Sequence, residues 1–184
     1  MSQLDPIHGA FSNPPPELPL GYPIADKVTV GQIEQRAAKA IYEQHHSYLP
    51  NNRVGFHYGV FLDNKIVGSI TFSAWPSGGT IRGYESSDVR EVSRVCIGHD
   101  TPNLASCAMS KAQDEYIDLH GDEFELLVTY VHTDYKGSMF AALQEKGWER
   151  DGISKGNGTP TCPWQDVREI DNADKERWVC ELEQ

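Results

Sequence analysis

Cysteine is scarce in this chain. The four present, Cys96, Cys107, Cys162 and Cys180, are widely spaced and never form a C-x-x-C pair. That spacing gives a structural zinc site little support, and a reducing setting leaves the thiols as small buried hydrophobes. Long apolar runs are missing, so no segment suggests a membrane span. Residues 1–10 lack the basic start and apolar stretch of a secretory leader, so the expected location is the cytoplasm. Basic residues are in the minority, with 16 Lys and Arg against 27 Asp and Glu, a formal charge of −11 and a pI near 5.0. This balance argues against a dominant polyanion-binding surface, leaves room for a local basic groove, and also fits a salty cytoplasm. There is no internal repeat and no glycine-rich phosphate loop.

What is there suits one ordered α/β domain: 184 residues, 39% hydrophobic and 10% aromatic. Residues 1–23 form an extended arm, because the five prolines of "NPPPELPLGYP" preclude a regular helix. The folded domain is residues 24–184. "VTVGQIEQRAAKAIYEQHH" predicts a first helix, capped by Thr29, with Ile33, Ala37, Ala40 and Ile41 facing the core. "GFHYGVFLDNKIVGSITFSAW" predicts a β-hairpin turning at Asp63-Asn64. A loop, "SGGTIRGYESSD", leads to the strand "VREVSRVCI". The helix "NLASCAMSKAQDEYIDLH" follows, with Leu104, Ala108, Ala112 and Tyr116 at a spacing of four. "FELLVTYV" suits a strand covered on both faces. "GSMFAALQEKGW" predicts a short helix ended by Gly147, "GISKGNGTPTCPWQ" a loop, and "RWVCEL" the last strand. The strand–helix–strand unit over 89–131 requires a right-handed crossover, hence one parallel pair in an otherwise antiparallel sheet.

The junction "REVSRVCIGHDTPNLASCAMSKAQ" carries the most chemistry. A helix N-terminus presents free amides and a partial positive charge, so the helix starting after Asn103 can bind a pyrophosphate on the amides of Leu104, Ala105 and Ser106. Asn103 would cap or donate its amide, and Ser106 would add a hydroxyl. On spacing alone an ordinary N-cap is the plainer reading. On a regular strand Arg94 shares a face with Val92 and Cys96, among apolar neighbours, and a buried arginine needs a partner. Glu91 reaches it only across a bulge, and otherwise a ligand anion serves.

These residues resemble a known family. "EVSR" followed by "DTPNLAS" is similar to the E-L-x-R and N-x-x-S pattern of the Mom-like proteins of bacteriophages, a divergent branch of the GNAT acyltransferase fold. "HHSYLPNNRVGFHYGVFLDNKIVGSITFSAWP" resembles their segment leading into the sheet, and "LLVTYVHTDYKGSMFAALQEKGW" their strand, turn and helix. The similarity spans roughly residues 40–150. It implies a single-domain GNAT-like mixed sheet flanked by helices, with residues 24–184 as the catalytic domain. The implied activity is transfer of an acyl-derived, methylcarbamoyl-type group to adenine N6 in DNA, which protects it from restriction, in a host cytoplasm. Acetyl-CoA is the implied donor, and iron has been linked to the family's chemistry. Two departures stand out: the family's S-Y-A-D reads Thr129-Tyr130-Val131-His132 here, with an acid only at Asp134, and the helix between Gly137 and Trp148 is about one turn longer.

The resemblance places Asn103, Ser106 and Arg94 at the cofactor. Tyr130, Asp134, His46 and Arg94 are the candidate catalytic groups. A tyrosine there can protonate a leaving thiolate, or it can be a core tyrosine with a backbone partner. Asp134 can be a base, a metal ligand or a helix cap. Adjacent His45 and His46 point apart at a helix end, so at most one enters a site. His46, His57 and His132 with Asp134 are the possible iron ligands, although the spacings define no metal site. Arg53, Lys65, Arg82, Arg90, Lys111 and Lys136 are the basic residues expected near a cleft for DNA. An adenine in a duplex must be flipped out, and Trp75, Phe72 or Tyr84 could stack on it. Two other readings remain: an ordinary GNAT N-acetyltransferase acting on a small-molecule or protein amine, and an acidic anti-restriction protein without enzymatic activity.

Overall fold

The computed structural model describes residues 24–45, 53–98, 101–133, 138–155 and 174–182. The proline-rich arm, His46, Tyr48, His99, Asp134, Lys136 and Cys162 lie outside the described residues. The elements, in chain order, are α1 (Ile24–Lys27), β1 (Val28–Gln32), α2 (Gln35–His45), β2 (Phe56–Leu62), β3 (Lys65–Ala74), β4 (Val89–Ile97), α3 (Leu104–His120), β5 (Leu126–His132), α4 (Ser138–Ala141), β6 (Trp148–Ser154) and β7 (Lys175–Glu181). The strands form one sheet in the order β1-β2-β3-β4-β5-β7-β6. β4 and β5 are its parallel pair and the other pairings are antiparallel. This is the mixed α/β architecture expected, with the crossover through α3.

The hairpin turns at Asp63 and Asn64, with φ of 49° and 62°, as a tight two-residue turn between right-twisted strands requires. Residues 28–32 are not the start of the first helix. Val28, Val30 and Gly31 pair with β2 as an edge strand, and the helix starts only at Gln35. The β-branched alternation of "VTV" outweighed the helical spacing further on. A second correction falls on "WERDGIS", which pairs with β7 as strand β6. The helix expected after Gly137 is short, covering Ser138–Ala141, with a 3-10 turn at Gln144–Lys146. Gly147 closes it in the left-handed region at φ 89°, as expected.

The two faces of the sheet differ in chemistry. One packs against α3. There Tyr58, Val60, Ile70, Phe72, Val92, Leu127 and Trp178 meet Leu104, Ala108, Met109, Ala112 and Tyr116 in the main apolar core. The four residues at spacing four are indeed the buried stripe of α3. The opposite face carries two smaller apolar clusters. Ala38, Ile41 and Tyr42 of α2 cover Ile66 and Cys96 at one end. Trp75 and Ile81 cover Val89, Leu126, Val128 and Val179 at the other.

Candidate active site

Between those two clusters the sheet is polar. Strand β3 alternates Ser69, Thr71 and Ser73 on this face, all buried. Thr71 stands between His57 on β2 and Arg94 on β4 in the strand register. His57 Nδ1 lies 2.8 Å from Thr71 Oγ1, which lies 2.7 Å from the hydroxyl of Tyr42 on α2. Tyr42 donates to Ser69 Oγ at 3.0 Å. Ser73 and Ser93 hydroxyls meet at 2.8 Å. Burying this many hydroxyls in the middle of a sheet carries a desolvation cost that only mutual hydrogen bonding offsets. Burial raises the phenol pKa of Tyr42 well above its ordinary value, the bonds to Ser69 and Thr71 oppose that, and the Arg94 charge opposes it further.

A bulge turns Arg94 onto this face. Thr71 pairs with Arg94 and Phe72 with Val92, so Ser93 is an extra residue in β4. The strict alternation that puts Arg94 beside Val92 therefore fails. Val92 and Val95 pack toward α3, while Cys96 packs toward α2. Arg94 donates to its neighbour's carbonyl, Ser93 O, at 2.6 Å. The bulge that could have brought Glu91 to Arg94 is present, but the Glu91 carboxylate is held by Arg53 at 2.6 Å. Glu91 stands opposite Ser73, so the Arg53 guanidinium lies on the polar face, reaching over β3.

The same place is where the sheet opens. β4 and β5 pair only through Val89–Glu91 and Leu126–Val128, although β4 runs on to Ile97 and β5 to His132. Thr129 Oγ1 donates to Val92 O at 2.9 Å, and beyond it the strands part. A parallel pair that splits halfway leaves a wedge whose two strand edges, among the described residues, pair with no other strand. Tyr130 projects beside it, with Trp75 and Val128 on the polar face. Its hydroxyl accepts the indole N–H of Trp75 at 3.2 Å. Burial raises its pKa, and the bonds from Trp75 and Arg177 moderate the rise. Strand alternation puts the buried His132 on this side as well.

At the far end of β4 the junction leads into α3. Asn103 does not cap through its side chain. It sits in the left-handed region at φ 63°, ψ 1°, and Ser106 Oγ donates to its carbonyl at 3.2 Å. Asparagine is one of the few residues besides glycine that tolerate this conformation. Its backbone therefore supplies the turn that a glycine-rich loop would otherwise provide. The amides of Ala105 and Ser106 have no intrahelical acceptor at this helix start.

Of the residues singled out in the sequence, Arg94 and Tyr130 stand on the walls of the wedge, and Asn103 and Ser106 lie at its far end. His46 and Asp134 lie outside the described residues. Tyr42, Ser69, Thr71, Ser73, Ser93 and the Arg53–Glu91 pair were missed, and His57 had been named only as a metal ligand. A signal existed: "SITFS" alternates hydroxyl and apolar side chains, an unusual pattern for a central strand.

The expected DNA-contacting cations are in large part engaged within the protein. Arg53 holds Glu91, and Arg82 is clasped by Glu149, Asp151 and Glu181. Arg90 donates to the carbonyls of Ser87 and Glu123. Lys111 donates to Ala25 O and Val28 O at 2.5 and 2.6 Å. Phe72 does not face the site either, because it stacks on Tyr116 in the α3 core with ring centroids 4.2 Å apart. Among the described residues no group of three or more His, Cys, Asp or Glu side chains could hold a metal ion, and no helix is long and apolar enough to cross a membrane. A surface depression near Asp88, Gly121 and Phe124 lies where β5 begins, at the opposite end of the sheet from the wedge.

The fold is that of GNAT acetyltransferases. An N-acetyltransferase from Staphylococcus aureus Mu50 superposes with a TM-score of 0.56 at 12% identity, over 85% of this chain and 99% of the other. A GNAT family acetyltransferase from Elizabethkingia anophelis, solved with acetyl-CoA bound, gives 0.51 at 14% identity over the same shares. A Bacillus subtilis acetyltransferase in complex with CoA gives 0.53 at 11% identity, over 85% and 98%. No curated protein matches the chain. The Mom protein family matches over residues 27–140, a span that holds both walls of the wedge and the start of α3, and the chain belongs to that family.

Proposed function

We propose that this protein transfers an acyl group from acyl-CoA to the N6 amine of adenine in DNA. The observation that carries this reading is the coincidence of three features at one place: the split between β4 and β5, the Asn103 turn into α3, and the polar face beside the split. The wedge suits an extended thioester arm, whose amides would find the unpaired strand edges. The amides that open α3 suit its pyrophosphate. The donor, when bound, supplies an activated carbonyl. The bulge at Ser93 leaves backbone polar groups out of the ladder beside that carbonyl's position, where a dipole could stabilise developing negative charge. Tyr130 accepts a hydrogen bond from Trp75, so its own proton is available for a departing thiolate. Residues 24–184 act as the catalytic domain in this reading, and residues 1–23 are an arm outside it. Iron enters no step here, since His57 and His132 join no ligand set among the described residues.

A second reading has its own support. The engaged state of Arg53, Arg82, Arg90 and Lys111, with the charge of −11, favours a small amine over a polyanion. Release of CoA thiol from acetyl-CoA separates the two. The proposal expects release with duplex DNA containing adenine, none with DNA lacking it, and little with simple amines. Release with small amines alone would replace the DNA reading with the second one.

A further inference from the structure

The hydrogens around His57 can be counted. His57 is 4% exposed and lies opposite Thr71 in the sheet. Tyr42 has one hydroxyl proton, and it goes to Ser69 Oγ. Thr71 also has one, and the 2.7 Å bond to Tyr42 then requires Thr71 to donate it. Thr71 Oγ1 is left to accept from His57 across 2.8 Å, so the imidazole carries its hydrogen on Nδ1. In a neutral ring Nε2 is then a bare lone pair. Burial lowers the ring's pKa and keeps it neutral. Among the described residues Nε2 has no hydrogen-bond partner, although the atom is buried. A buried acceptor without a donor is rare in folded proteins and calls for a ligand or a water. It stands on the same polar face as Arg94 and Tyr130, across β3 from Arg94.

We infer that His57 Nε2 is the acceptor for a proton-bearing nitrogen of the substrate, the amine that becomes acylated, with Thr71 and Tyr42 as positioning residues that fix its tautomer. The inference rests on the acyl-transfer reading above. In the step, the amine nitrogen forms a bond to the thioester carbonyl carbon and the carbon–sulfur bond breaks. The amine's N–H proton passes to Nε2, and the leaving thiolate takes the Tyr130 proton. The imidazolium and the tyrosinate are restored by proton exchange with water, so no other reactant is needed.

His57→Asn is the discriminating change. Its side-chain amide can still donate to Thr71, but nothing stands where Nε2 was. In the full chain the variant is expected to keep its circular dichroism spectrum and to melt within a few degrees of wild type. Its kcat for acyl transfer from acetyl-CoA to duplex DNA or a primary amine should fall about 10²–10⁴-fold, with KM for acetyl-CoA unchanged. Thr71→Val should lose about tenfold in kcat, and the ¹⁵N spectrum of His57 should show the hydrogen moving to Nε2. Wild-type transfer matched by His57→Asn would overturn the inference while leaving the reading intact, as would a wild-type ¹⁵N spectrum with the hydrogen already on Nε2. A wild type that transfers to neither acceptor overturns the acyl-transfer reading, and the inference falls with it.

Discussion

Asn103 shows how one residue's backbone can carry a function expected of its side chain. Its φ of 63° costs most L-residues about 1–2 kcal/mol, and glycine almost nothing. Asn103→Gly should therefore melt close to wild type and still bind acyl-CoA, whereas Asn103→Val should lose about 1–2 kcal/mol and bind the donor more weakly. Thermal melts with and without acetyl-CoA check both. An effect of Asn103→Gly on binding as large as that of Asn103→Val would assign the side chain a direct contact instead. Ser106 follows a similar logic. Its hydroxyl serves Asn103 O, so Ser106→Ala should weaken donor binding more than it weakens the fold. His57 and Asp151 each make stability fall with acid. Burial lowers the His57 pKa in the folded state. Desolvation opposes the downward shift of Asp151, and the Arg82 and Arg177 bonds overcome it. For both groups the unfolded chain binds protons first as pH falls. Their contributions are therefore full above the unfolded values, near 6.5 for histidine and 3.8 for aspartate, and are lost as pH falls through each folded value. Urea midpoints should drop between pH 7 and 5 in wild type, and drop less in His57→Asn.

At the scale of elements, the sheet depends on close approach at Gly55. A Cβ there would sit 2.0 Å from Phe72 O, so Gly55→Ala forces the start of β2 away from β3. The expected cost is about 1–3 kcal/mol, with activity falling further than stability because His57 and Arg53 flank the site. A variant as stable and active as wild type would show that this edge is not held tightly. Much of the arrangement was legible in the sequence: the Asp63-Asn64 hairpin, the stripe on α3, the parallel crossover and the capping Gly147 each follow from a local rule. Residues 28–32 were misread because two β-branched valines precede a longer helical pattern, and edge-strand pairing is a tertiary gain that no window reports. A bulge between Glu91 and Arg94 was foreseen only as one option, and its position at Ser93 was hidden. One extra residue moves Arg94 to the other face, and only the register against β3 reveals it. The polar face itself was half visible, in the alternating hydroxyls of "SITFS".

The whole molecule is acidic, and its described arginines and lysines near the site largely serve the protein itself. If DNA is the substrate, few phosphates can be neutralised by this set. With at most about two phosphate contacts, the slope of log affinity against log salt should be about −2 or shallower. A steep slope would mean that cations outside the described residues, Lys136 among them, bind the backbone. Arg82 gathers Glu149, Asp151 and Glu181 from β6 and β7 onto the turn that follows Trp75, so the cover over Tyr130 is held by charge. The most direct test of the central claim is mass spectrometry of nucleosides from the DNA of cells expressing the chain. Modified deoxyadenosine with wild type, and its loss with Arg94→Ala, is the predicted result. Only unmodified deoxyadenosine from cells with abundant folded wild-type protein would contradict it.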